Sequence, residues 1–228
     1  MGANTVLNFG VAIALLGWPL VLLAFRLLGR DTLSYVPRLC GWALAALCVV
    51  LAATNSPNGI ASLGVRAISM QTLVLGVLTA VGTLSSFAAI GAIQRAMGLP
   101  NADIAMFTRV TALPIVHRLF LVITAGVNEE ILYRGYAIGL GQNLFGNVWV
   151  AAAVSLLVFT LAHLNWRASH LISVAVAGGA LSVLFVLSGD LVACILAHTL
   201  VDAVAVVLMP VYLRRRASNH GAQFPRRG

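Results

Sequence analysis

Two glutamates stand side by side in GVNEEILYRG, residues 126–135, with Arg134 four residues beyond the second. Glu129 and Glu130 are the only glutamates of a chain with six acidic residues, and the sequence around them is almost wholly apolar. A charged side chain at mid-membrane depth costs about 2.5–3.5 kcal/mol on insertion scales, so such residues ask for a functional explanation. On a helix turning about 100° per residue, Glu130 and Arg134 are about 40° apart and one turn up, whereas Glu129 and Arg134 are about 140° apart. Arg134 therefore neutralises Glu130 more easily. The pair divides into a carboxylate tied to Arg134 and a free one that shares a face with Tyr133. A free carboxylate in a low-dielectric cleft suits a general base. The competing structural reading is that both glutamates only pin their helix to its neighbours.

Two further clusters follow. His163 sits in LVFTLAHLNW, with Phe159 one turn earlier on the same face. Taken alone, such a histidine is a packing residue at the end of an apolar span. His198 and Asp202 sit one turn apart in ILAHTLVD. That spacing lets a carboxylate orient an imidazole, lets both reach one water or metal, or serves only a local helix contact. In combination, a carboxylate and two imidazoles can activate water for attack on an amide. Glu129, His163 and His198 could equally hold zinc with water in the open position. The sequence has no His-Glu-x-x-His signature, and Glu129 does not easily act as both ligand and base. A metal-free glutamate mechanism is the favoured expectation, with no cofactor certain and zinc the alternative.

The elements that must carry these residues are membrane spans. The chain has 228 residues, 61% hydrophobic and only 9% charged, with a mean hydropathy of +0.99. Soluble domains carry roughly a quarter charged residues. The composition predicts an all-α, polytopic helical membrane bundle. Seven spans are expected, near 5–28, 37–54, 70–97, 111–141, 146–165, 170–188 and 190–212. Asn55-Ser-Pro-Asn-Gly59 and Gly98-Leu-Pro-Asn101 read as turns. The fourth span is long and is expected to tilt or break.

All fourteen basic residues are arginine. With the N-terminus outside, twelve of the fourteen fall in inside segments, among them Arg167 and the arginines of the tail RRRASNHGAQFPRRG. The bias predicts an N-out, C-in topology. The net charge of +8 is accounted for by these flanks, so no nucleic-acid partner is expected. The tail reads as a topology anchor touching anionic lipid. The first apolar run has no basic residue ahead of it and reads as a retained span, not a cleaved signal. Cys40, Cys48 and Cys194 have no metal-ligand spacing and read as packing residues. The expected organisation is three N-terminal spans over 1–110, a core of four spans over 111–212 and a basic tail over 213–228, in one integrated domain.

EEILYRG, then FTLAH, then HTLVD, about 35 residues apart, resembles the three-motif pattern of the CAAX-protease and bacteriocin-processing (CPBP, or Abi) family of intramembrane proteases. That pattern is Glu-Glu-x-x-x-Arg, Phe-x-x-x-His and His-x-x-x-Asn/Asp. The resemblance covers about residues 112–208. It implies peptide-bond hydrolysis at a site within a helical membrane bundle. By motif position, Glu129 would activate water with His163 beside it, and Glu130 with Arg134 would support them. His198 and Asp202 would stabilise the oxyanion or position the water. Many members carry asparagine where this chain has Asp202, and ionised aspartate cannot donate to an oxyanion. The implied substrate is a hydrophobic, lipidated or leader peptide at the membrane of a bacterial cell. The alternatives are a catalytically silent scaffold or immunity factor of the same family, and a proton-coupled transporter. The transporter would be expected to show internal repeats, and the sequence has none.

Overall fold

The computed structural model describes residues 2–98, 104–164, 168–208 and 210, without the side chains of 104–107, 168 and 169. Arg167, Leu99–Asn101 of the second predicted turn, and the basic tail beyond 210 lie outside the described residues.

Every regular element of the described chain is a helix. Helix α1 spans Ala3–Leu27, α2 Tyr35–Asn55, and α3 Met70–Ala96, with a short 3-10 turn at Gly59–Leu63. Helix α4 spans Ile104–Ala112 and α5 Ile115–Thr124. Helix α5 runs on without interruption into a π-helical stretch, Ala125–Leu140, and then into α6, Gly141–Phe145. Helix α7 spans Val148–Ala162, α8 Ala168–Ser188, and α9 Leu191–Asp202, which continues as π-helix over Ala203–Leu208. The seven expected spans are therefore met by α1, α2, α3, the composite helix Ile115–Phe145, α7, α8 and α9.

Five of these are long and apolar enough to cross a membrane. Helix α7 is apolar but shorter, and the composite helix carries the charged motif. Large apolar side chains such as Leu73, Val77, Leu78 and Val81 of α3 stand exposed. In water such a stripe would aggregate, whereas against lipid tails it is at home. The chain is an integral, multi-pass membrane protein.

Two features correct the linear reading. The span expected at 111–141 does not begin as one rod: α4 ends at Ala112, and Pro114 starts α5 afresh as its N-cap. A proline at that boundary cannot continue the preceding hydrogen-bond ladder. The break predicted for this span thus lies near its start. The second feature is the π winding over the motif itself. Its i→i+5 bonding brings Glu129 and Arg134 closer in angle than α-helical geometry allows.

The π-helix is the axis of the bundle, packed against α1, α2, α7 and α9, with α3 set outside α8 and α9. Close approach depends on small residues, as in other membrane interiors. A Cβ on Gly126 would collide with Thr199 of α9, and one on Gly10 with the Tyr136 ring. At Gly135 and Gly139 it would sit 3.2 and 3.0 Å from the carbonyls of Leu63 and Ser62. These two glycines let the 3-10 turn seat its backbone directly on the π-helix. Next to it, Asp190 caps α9 through the Ala193 amide (3.0 Å) and accepts from Thr72 Oγ1 of α3 (2.7 Å). That buried network fixes the end of the bundle where the 3-10 turn docks. Cys48 and Cys194 are buried and all three cysteines are free, as expected of packing residues.

Candidate active site

The three sequence clusters converge on one cavity of about 290 Å³. Glu129 reaches it from the π-helix, His163 from the C-cap of α7, and His198 and Asp202 from α9. Asp202 also lies within electrostatic reach of His198, Glu129, His163 and Glu130. Glu130 and Arg134 are not in the cavity wall. Both are 0% exposed and sit behind it.

Glu130 is the hub of this inner layer. Its Oε1 accepts from Arg134 Nη1 at 2.8 Å and from His198 Nδ1 at 2.7 Å. Arg134 is held from two further sides. Its Nη2 donates to the Gly178 carbonyl of α8 at 2.9 Å, and its guanidinium lies 4.7 Å from the centre of the Phe159 ring. Gly178 allows this approach, since a Cβ there would come within 2.9 Å of Leu156 and Phe159. A buried guanidinium needs partners of this kind to offset its desolvation.

Glu129 is 7% exposed, and among the described residues no ion pair involves it. The division expected between the two glutamates is therefore present, but its cause differs. With π winding, the angular argument no longer separates Glu129 from Arg134. What leaves Glu129 free is that Glu130, Gly178 and Phe159 together engage Arg134.

The two histidines are held in different ways. His163 Nδ1 donates to the Phe159 carbonyl at 2.8 Å, which leaves its Nε2 as the acceptor nitrogen of the neutral ring. Its ring packs 4.8 Å from Phe159, which also meets Tyr133 edge-on at 5.2 Å. Phe159 is thus the shared support of Arg134 and His163. His198 is oriented chiefly by Glu130 through Nδ1, while Asp202 lies 3.6 Å from its Nε2. The i,i+4 spacing pointed to Asp202 as the orienting carboxylate. The shorter contact comes from Glu130, 68 residues away in the chain.

The zinc alternative fits poorly. Among the described residues, no three His, Cys, Asp or Glu side chains cluster as a metal site. Glu129, His163 and His198 line one cavity without clustering as a ligand set.

Residues not singled out from sequence also line the cavity: Arg26 at the end of α1, Arg38 on α2, and His170 on α8. Arg26 and Arg38 come from segments distant in sequence from the three motifs, and His170, seven residues after His163, stands on the following helix, outside any motif spacing. Thr32 and Leu33, in the α1–α2 connection, complete the wall on this side. The cavity therefore reaches from the middle of the bundle to the end where α1 finishes and α2 begins. That extent reconciles a mid-bundle Glu129 with a His163 at the end of α7.

Comparison with known proteins agrees with the motifs. Residues 111–204 match the family described as type II CAAX prenyl endopeptidase Rce1-like. No curated protein and no solved structure matches the chain. The matched segment runs from the end of α4 to the first turn of the second π-helix and contains all six motif residues. Residues 111–204, fewer than half of the chain, are thus similar to the CAAX-protease family of intramembrane peptidases, the family that the three motifs resemble.

Proposed function

We propose that the protein is an intramembrane endopeptidase that hydrolyses a peptide bond in a hydrophobic, membrane-associated substrate. The observation that carries this reading is the single cavity collecting Glu129, His163, His198 and Asp202 in front of a buried Glu130–Arg134 pair. Glu129, without an ion-pair partner, takes a proton from water. His163 Nε2 accepts from the same water and holds it. The resulting hydroxide attacks the scissile carbonyl, and the proton returns to the leaving amine. His198, held as the imidazolium with Nδ1–H committed to Glu130, offers Nε2–H to the developing oxyanion. Asp202 steadies that imidazole from its other side. Glu130 and Arg134 keep the machinery in place and exchange no proton with substrate.

The arginine distribution supports an N-out, C-in topology. On that topology the cavity opens to the cytoplasmic side, where Arg26 and Arg38 stand. The lipid-facing apolar surface of α3 supports a substrate delivered in or at the bilayer.

The test is cleavage by purified protein in detergent of a library of hydrophobic, lipidated and leader peptides, read by mass spectrometry. Cleavage by the wild type and none by a folded Glu129→Ala variant is the expected result. No cleavage of any peptide by folded wild type would return the chain to the scaffold or immunity-factor reading.

A further inference from the structure

A second space lies on the outer side of the seam between α3 and α8. It is an open groove of about 610 Å³, within the size range of ligand-binding clefts. Its α3 wall runs from Gln71 to Ser86 and its α8 wall from Val176 to Ser188. Fifteen residues of helix rise about 22 Å, against about 30 Å for the hydrocarbon core of a bilayer. Val183 and Leu187 on its α8 wall stand exposed, so the groove faces lipid.

The groove and the large cavity lie end to end. Ser188 Oγ accepts the Asp190 amide at 3.1 Å, which places one end of the groove where the 3-10 turn docks. The large cavity reaches the opposite end of the bundle, at Arg26 and Arg38. The two spaces meet at Thr83, the one described residue that lines both. Ala177 and Leu181 of α8 stand on the cavity side of the seam, and Val176, Ala180 and Leu184 on the groove side.

Two features of the groove point to an occupant. Gly82 lies in its wall, in mid-helix, where glycine is weaker than alanine. A Cβ at Gly82 would meet no atom within 4 Å. Gly10, Gly126 and Gly178 each make room for a neighbouring side chain; the room that Gly82 leaves belongs to the groove. The second feature is polarity. Gln71, Thr79, Ser86 and Ser188 line a space that opens to lipid. Acyl chains offer these side chains no hydrogen bond, whereas a polypeptide brings backbone donors and acceptors. A groove that starts at one end of the bundle, and leads to a cavity reaching the other, fits a chain that crosses the membrane. A tail anchored only at the Arg26–Arg38 end would leave the groove unused.

We propose that the α3–α8 groove docks a membrane-spanning segment of the polypeptide substrate, whose unwound continuation enters the cavity past Thr83. The substrate class is then a spanning protein, cut on the Arg26–Arg38 side of its apolar segment. The cleavage part rests on the proposed peptidase reading; the docking part does not.

Two measurements in proteoliposomes test it. The probe is a library peptide joined to a Leu/Ala helix of about 20 residues, long enough to span. The first measurement is photocrosslinking from a benzophenone amino acid incorporated at position 82, or at position 77, which is exposed on α3 outside the groove. Crosslinking to the probe from position 82 and not from 77 is expected. Equal crosslinking from both, or crosslinking from 82 to lipid alone, overturns the docking site. The second compares wild type with Gly82→Leu, on the joined probe and on the same peptide without the helix. The open space around Gly82 lets the leucine enter the groove without disturbing the fold. KM for the joined probe is expected to rise about tenfold with kcat unchanged, as when ground-state binding is lost. The short peptide, which reaches the cavity from the Arg26–Arg38 end, is expected to keep its wild-type kcat/KM. An unchanged KM for the joined probe, or equal loss on both substrates, overturns the proposal. If the wild type cleaves neither substrate, the peptidase reading falls, and the crosslinking alone decides the docking site.

Discussion

Replacing Glu130 by glutamine removes one charge and almost no volume. Glu130 and Arg134 are both 0% exposed and 2.8 Å apart, and the same Oε1 also receives His198. Glutamine keeps one acceptor oxygen for Arg134 and His198 but leaves the Arg134 guanidinium without a counter-charge, beside the Gly178 carbonyl and the Phe159 face. Breaking a buried ion pair from one side costs about 3–5 kcal/mol, because the remaining charge stays desolvated. The retained oxygen places Glu130→Gln near the lower end, about 3 kcal/mol. Glu129→Gln, at a site with no ion pair, is expected to change stability by less than about 1 kcal/mol. The assay is reversible unfolding in mixed micelles, run on both variants and the wild type. A combined Glu130→Leu/Arg134→Met protein should be less destabilised than Glu130→Leu alone, since it removes the stranded cation as well. Equal stability of Glu130→Gln and wild type, or greater loss in Glu129→Gln, would refute the assignment of Glu130 as the structural hub.

Three further outcomes are expected. Phe159→Ala should cost about 3–5 kcal/mol of stability and also depress cleavage, because Arg134 and His163 both rest on that ring; unfolding and cleavage assays on one preparation check this. Asp190→Ala should cost about 1–2 kcal/mol through the lost α9 cap, and its folded fraction should keep the wild-type kcat/KM, since the Thr72–Asp190 network is remote from the cavity. Cleavage should survive treatment with a strong zinc chelator; loss of activity restored by added zinc would show that the three side chains converge on a metal after all.

Much of the architecture was legible because membrane spans are written in run length. The apolar stretches near 5–28, 37–54, 70–97, 170–188 and 190–212 are each helical over their described residues, and the turn at Asn55–Gly59 falls where Pro and Gly put it. The composite helix was harder. Helix α4 lies mostly between the third and fourth expected spans, and π winding over Ala125–Leu140 is a hydrogen-bond pattern that side-chain periodicity does not encode. The division between Glu129 and Glu130 was foreseeable from i,i+4 spacing, although the spacing rule gave the wrong reason for Glu129. Contacts across the bundle were invisible. Glu130 holding His198 across 68 residues has no local signature, nor does the arrival of Arg38 and His170 at the cavity. Asp190 passed unnoticed because a lone aspartate at a helix start reads as an ordinary cap, and its bond to Thr72 spans 118 residues.

The central claim is that Glu129 is the base of a peptide-cleaving site. Its most direct test is the single-turnover cleavage rate of one accepted peptide in proteoliposomes, for wild type and for Glu129→Gln of confirmed fold. General-base catalysis contributes about 10²–10⁴-fold, so the rate should fall by that factor with the cleavage position unchanged. A Glu129→Gln protein that cleaves at the wild-type rate would contradict the account.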